Sequence, residues 1–147
     1  MDRVVLDNSV MVRAFLPDEN GHDIATKVLA LLSVGDIVAL APRNMMYEFC
    51  NAMAKAFRRR RRPCRDAVES LHKFLNLPIQ YVDWEGMLER TMELSLSYGK
   101  SWYDMCYLAV GEHENVRVCT EDRSSVASLP DGLKSRFVSL DDFFRGE

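Results

Sequence analysis

Short apolar runs alternate along the chain with longer stretches in which apolar residues recur every three or four positions. Residues 3–7 (Arg3-Val4-Val5-Leu6-Asp7) read as a buried strand ending on a carboxylate. Asn8 or Ser9 can cap a helix that runs to about Leu16 and stops at Pro17. A second helix is predicted over 22–33, with Ile24, Val28, Leu31 and Leu32 at helical spacing and Gly35 closing it. Residues 37–40 form a second buried strand. Pro42 opens a long helix whose stripe is Met46, Phe49, Cys50, Met53 and Phe57. Pro63 starts another helix, to about Leu75. A strand over 79–82, a helix over 84–98 ended by Gly99, a helix capped by Ser101 and running to about Gly111, and a strand over 116–119 follow. A fifth strand over 136–138 and a short helix around 141–144 complete the reading.

Apolar strands alternating with helices call for a parallel sheet covered on both faces. The expected fold class is α/β, a three-layer sandwich around a central, mostly parallel sheet of four or five strands. At 147 residues the chain is one domain, 1–147, able to bury roughly 68–70% of its unfolded surface. It is too short for a second, cofactor-binding domain. Hydrophobic residues at 48% and charged residues at 28% exclude a disordered chain. The longest apolar run, 105–110, is far below the roughly 18–20 residues of a membrane span. Met1-Asp2-Arg3 lacks the shape of a secretory signal, so a soluble cytoplasmic protein without membrane attachment is expected.

The cysteines agree with that compartment. Cys50, Cys64, Cys106 and Cys119 form no C-x-x-C pair and have no histidine at zinc spacing. Three of them lie in apolar stretches, where buried thiols are expected. Charge is distributed unevenly. Lys55, Arg58 to Arg62 and Arg65 place seven positive charges in a span with no acid, while the whole chain carries −3. An acidic body with one basic knob can touch nucleic acid but is not coated for it.

The acids carry the chemistry. Ligands of open parallel sheets bind at the carboxyl ends of the strands, where strand order reverses. Asp7 ends the first strand, and Thr120-Glu121-Asp122 follows the fourth. Taken singly, either acid is more simply read as a helix cap or a turn. Asp104 lies on a helix that is apolar on every side. Ser101 and Asp104 have the spacing of a capping box, so cap and site both stay open. Glu48 lies roughly opposite the Met46–Phe57 stripe, with Asn51 three residues on, which also describes a solvated face. Four acids from four segments matter more together. Clustered carboxylates repel one another unless a cation sits among them, and oxygen-only ligands suit Mg²⁺ or Mn²⁺.

In this order, Val4-Val5-Leu6-Asp7-Asn8-Ser9-Val10, Tyr47-Glu48-Phe49-Cys50-Asn51-Ala52, Tyr98-Gly99-Lys100-Ser101-Trp102-Tyr103-Asp104-Met105-Cys106-Tyr107-Leu108-Ala109 and Val118-Cys119-Thr120-Glu121-Asp122-Arg123 resemble a PIN domain. Within that family they resemble the VapC-type toxins of toxin–antitoxin pairs. The resemblance implies a metal-dependent endoribonuclease with an RNA substrate, a cognate antitoxin partner and a homodimeric state. The family's four acids fall on Asp7, Glu48, Asp104 and Asp122, as metal ligands and catalytic residues with Mg²⁺ or Mn²⁺. Its accessory polar positions fall on Ser9 and Thr120. Asn8 and Met105 depart from the usual residues. Glu121 adds an acid beside Asp122 and leaves open which of the two faces the metal.

Rival readings fit less well. A phospho-aspartate receiver needs paired acids at the first strand, and a haloacid-type phosphatase needs an acid where Ser9 stands. His22, His72 and His113 lie outside the motifs, which disfavours a histidine-driven ribonuclease. The remaining alternative is a catalytically inactive PIN scaffold that binds RNA or protein, against which four intact acids argue. The arginines at 58–62 have three readings: a solvated helix end, contacts to RNA phosphates, or a place beside the antitoxin.

Overall fold

A computed structural model describes residues 2–146. The described chain runs β1 (Asp2–Leu6), α1 (Asn8–Phe15), α2 (His22–Val34), β2 (Ile37–Pro42), α3 (Asn44–Arg60), α4 (Cys64–Leu75), β3 (Gln80–Val82), α5 (Met87–Tyr98), α6 (Trp102–Glu114), β4 (Val118–Cys119), α7 (Asp131–Lys134), β5 (Phe137–Val138) and α8 (Leu140–Arg145). Every strand pairing is parallel and the sheet order is β3-β2-β1-β4-β5. The fold is thus the expected α/β sandwich, with a wholly parallel sheet. The four-residue α7 is the element that periodicity did not reveal, since one turn carries no repeat.

The order of strands places the site. β1 is central: β2 and β3 extend the sheet on one side, β4 and β5 on the other. The crevice at the ends of β1 and β4 is therefore the switch point, and Val5 and Leu6 pair there with Val118 and Cys119. Val4, Val5, Leu6, Ala39, Leu40, Val118 and Cys119 are all buried, as strands covered on both faces require.

Helix α6 is the most deeply embedded helix, with Met105 through Gly111 buried without interruption. Gly111 allows this closeness. A Cβ there would meet Val118 Cγ2 at 2.7 Å and the Val116 carbonyl oxygen at 3.1 Å. Helix α6 is thereby fixed against β4, with its N-terminal turn at the sheet's carboxyl edge.

Helix α3 packs by Met45, Phe49, Met53, Ala56 and Phe57, and Phe49 stacks on Phe74 of α4 at 4.0 Å between ring centroids. This corrects the expected stripe at one residue: Cys50 is exposed, because the buried arc turns toward Ala56. Cys64 is exposed too. Cys106 and Cys119 are buried, and burial pushes the Cys106 thiol up to about 12 and raises Cys119 as well. All four cysteines are free. No described helix is long and apolar enough to cross a membrane.

Candidate functional site

The site is built outward from Asp7. As the first residue beyond β1 it is the N-cap of α1, its side chain accepting from the Ser9 backbone N–H at 2.8 Å. The cap is therefore Asp7 itself, not Asn8 or Ser9. The Ser9 hydroxyl donates to the same oxygen, Oδ1, and the Thr120 hydroxyl donates to Oδ2. Thr120, buried at the end of β4, also accepts from the Asp122 N–H at 3.1 Å. The Ser9 hydroxyl accepts from the Glu121 N–H at 3.0 Å. Two hydroxyls thus fasten the β4 loop onto the carboxylate at the end of β1. Burial raises Asp7 to about 6 against the pull of the Ser9 and Thr120 hydrogen bonds, and the charge of Asp104 adds to the rise.

Glu48 does not sit on a solvated face. The Tyr107 hydroxyl, buried on α6, donates to Glu48 Oε1 at 2.9 Å. Asn44, one helical turn before Glu48, donates its amide to the same oxygen. Burial raises Glu48 to about 7. Hydrogen bonds from Tyr107 and Asn44 oppose the rise, and the charges of Asp104 and Asp7 reinforce it. The helical partner of Glu48 is Asn44; Asn51 lines the cleft nearby.

Asp104 stands in the first turn of α6. Ser101 is the N-cap by position, but its side chain makes no capping hydrogen bond, so the capping-box explanation for Asp104 fails. The Asp104 carboxyl is raised by burial and then by the charge of Asp122, while Lys100 lowers it. Lys100 also donates to the Ser124 carbonyl oxygen at 3.2 Å, tying the loop after β4 to the turn before α6. Asp104 is thus the shared electrostatic neighbour of Asp7, Glu48 and Asp122.

The two adjacent acids after β4 have different duties. Glu121 accepts from the Leu140 N–H at 2.7 Å and from Arg13 at 3.1 Å, so both of its oxygens are engaged in holding α8 and α1. Asp122 caps its own loop through the Ser124 N–H and hydroxyl and is exposed beside Asp104.

Helix α3 and the N-terminal turns of α1 and α6 border a cleft of about 620 Å³ lined by Asn8, Asn44, Glu48, Asn51, Lys55 and Asp104, among others. That volume is in the range of small-ligand sites. A model of the PIN domain family matches residues 4–128, from β1 past the β4 loop.

The chain belongs to the PIN domain family.

Solved structures share the architecture of this PIN domain. PAE2754 from Pyrobaculum aerophilum is 18% identical, with a TM-score of 0.69 over 99% of this chain and 96% of its own. VapC20 from Mycobacterium tuberculosis, described as a Sarcin-Ricin loop cleaving toxin, is 16% identical, with a TM-score of 0.60 over 86% and 96%. VapBC2 from Rickettsia felis, bound to a DNA fragment from its promoter, is 14% identical, with a TM-score of 0.63 over 93% and 96%. At these identities the likeness is one of fold. No curated protein matches the sequence.

The donor chemistry of the PIN site suits a hard divalent cation. Its acids offer only oxygen, burial and mutual repulsion hold three of them above their ordinary range, and Asn8 Oδ1, next to Asp7, is buried with no hydrogen-bond partner among the described residues. Among the described residues, however, no group of three Asp, Glu, His or Cys side chains is arranged to hold a metal.

Tyr107 escaped the sequence reading because an aromatic on a fully apolar helix looks like core. Asn44 carried a readable signal, its i,i+4 spacing to Glu48.

Proposed function

We propose that this PIN domain is a divalent-metal-dependent endoribonuclease and the toxin of a toxin–antitoxin pair. One observation carries the reading. Asp104 is the electrostatic neighbour of Asp7, Glu48 and Asp122, three acids from three other segments, at the switch point of a parallel sheet. Structural cores do not gather repelling charges without a compensating partner.

Asp7, Glu48, Asp104 and Asp122 would hold Mg²⁺ or Mn²⁺. When bound, the metal supplies a nucleophilic water at neutral pH and neutralises charge on the phosphate being cleaved. The chain's own residues prepare the acids. Ser9 and Thr120 fix both oxygens of Asp7, and Tyr107 with Asn44 fixes Oε1 of Glu48. The other Glu48 oxygen, Oε2, has no hydrogen-bond partner among the described residues. Lys100 places a positive charge near Asp104 and braces the loop that carries Asp122.

The VapC and VapBC likenesses support a cognate antitoxin as partner and a cytoplasmic site of action. The homodimer implied by the resemblance is part of the same proposal, and light scattering on the purified chain tests it. The inactive-scaffold alternative lacks support, since none of the four acids is replaced.

Incubating the purified protein with a pool of structured and unstructured RNAs tests the activity. Cleavage is expected with Mg²⁺ or Mn²⁺, absent in EDTA and absent in Asp104→Asn. Metal-independent cleavage, or full activity in Asp104→Asn, contradicts it.

A further inference from the structure

Two large aromatic side chains lie open to solvent on the walls of the cleft. Tyr47 is 76% exposed on α3 and Tyr103 is 55% exposed on α6, and each adjoins a site acid, Glu48 or Asp104. Neither hydroxyl makes a hydrogen bond among the described residues, so polar anchorage explains neither ring. Tyr103 is held edge-to-face against Trp102, with centroids 5.7 Å apart and planes at 90°. That contact restrains the ring before any ligand arrives.

The rest of the lining suits a nucleic acid strand. Asn8, Asn44 and Asn51 supply amides, and Lys55 supplies a positive charge. Helical spacing puts Arg58 and Arg59 one turn beyond Lys55 and two turns beyond Asn51 on the same side of α3, and both arginines are exposed. Aromatic faces, amides and cations along one groove are the equipment of single-strand recognition, in which bases stack and phosphates meet cations.

We propose that the cleft binds an unpaired RNA segment by stacking one base on Tyr47 and another on Tyr103, on either side of the acidic centre, with Lys55 and Arg59 toward the phosphates. This deepens the ribonuclease reading and rests on it for the identity of the strand. A paired helix keeps its bases stacked on one another and cannot present them to the two rings. The site is therefore selective for loops and single strands by shape, before any base is read.

Binding is measured in EDTA, so that no cleavage occurs, with an unstructured RNA of about a dozen nucleotides, the upper part of the site-size range for single-strand binders, and a hairpin stem of matching composition. The RNA carries 2-aminopurine, whose fluorescence falls on stacking. The expected result is quenching by the wild type and at least about tenfold tighter binding of the single strand than of the stem. Tyr47→Ala and Tyr103→Ala should each weaken single-strand binding roughly 5- to 100-fold, and Tyr→Phe at either position should restore it. Both positions are exposed, so circular dichroism should show the variants folded. If a variant fails to fold, quenching and strand preference in the wild type still decide the matter.

Absence of quenching overturns the proposal. So does equal affinity for stem and strand, or wild-type affinity in the alanine variants. RNA binding unchanged while the variants lose a cognate antitoxin peptide would assign the rings to a protein partner and also overturn it. Failure of the ribonuclease reading shows separately, as wild-type protein that binds the strand but cuts no RNA with Mn²⁺.

Discussion

The Tyr107 hydroxyl, buried in the middle of α6, donates to Glu48 Oε1 on α3 at 2.9 Å. It links the two helices that carry Glu48 and Asp104, and it does so at a carboxylate that burial has lifted to about 7. A buried hydroxyl facing a carboxylate in this way fixes the side chain's rotamer and favours its charged form.

Tyr107→Phe removes that donor and leaves the ring in place. Glu48 should then hold its proton to higher pH, because the hydrogen bond that lowered its affinity for the proton is gone. An NMR titration of the Glu48 carboxyl in metal-free protein checks this, and the acid limb of the activity profile should move the same way. Stability should fall by about 1.5–3 kcal/mol, the range for hydrogen bonds to charged groups. A Glu48 titration identical to wild type would mean that the hydroxyl does not position the carboxylate.

The metal-free protein should lose stability as pH rises from about 4 to 7. Asp7 in the folded chain titrates near 6 and Glu48 near 7, both above their ordinary values of 3.8 and 4.5. Over that window the unfolded chain has released protons that the folded chain still binds, so the unfolded state gains. The stabilising share is complete below the unfolded values and gone above the folded ones. Asp7→Asn removes the charge and should raise the neutral-pH melting temperature, with an upper bound on the order of 3 kcal/mol. A melting temperature that falls in Asp7→Asn, or that rises steadily from pH 4 to 7 in wild type, contradicts this.

The arginines at 58–62 divide into two groups. Arg60 pairs with Asp18 at 2.7 Å and Glu19 at 3.4 Å, which ties the end of α3 to the loop between α1 and α2. Arg62 lies over the Phe57 ring at 4.6 Å and near Asp66. Arg58, Arg59 and Arg61 are exposed and make no ion pair among the described residues. Arg60→Ala should lower the melting temperature in low salt by more than in high salt, where surface pairs are screened. Arg58→Ala with Arg59→Ala should instead lower the salt slope of RNA binding by about 0.7 for each phosphate no longer neutralised. An unchanged slope returns these two to the solvated helix end.

Fold and acids were legible in the sequence for a common reason: both are written in local pattern. Buried strands such as Val4-Val5-Leu6 and the wholly apolar α6 can sit only inside a covered parallel sheet, and acids at the strand ends then fall at its open edge. What spacing does not encode is which polar groups meet across the fold. The separations of 59 residues from Glu48 to Tyr107 and 113 from Asp7 to Thr120 carry no period that pairs them. The same blindness leaves Glu121 and Asp122 equivalent in sequence, whereas in the fold Arg13 and the Leu140 N–H occupy Glu121. Cys50 shows the limit of the helical wheel, where a buried arc drifted by one residue exposes its edge.

Calorimetric titration of the metal-free protein with Mn²⁺ between the titration points of Asp7 and Glu48, in two buffers of different ionisation enthalpy, tests the central claim most directly. Metal and protons compete for the same carboxylates, and Asp7 near 6 and Glu48 near 7 are both partly protonated in that interval. Saturable binding with net proton release is the predicted result, together with loss of most of the affinity in Asp104→Asn. The same saturation should stabilise the fold by about 2.7 kcal/mol at a hundredfold excess over Kd. No binding at millimolar Mn²⁺, or binding that releases no proton and survives Asp104→Asn, would contradict a metal site at these four acids.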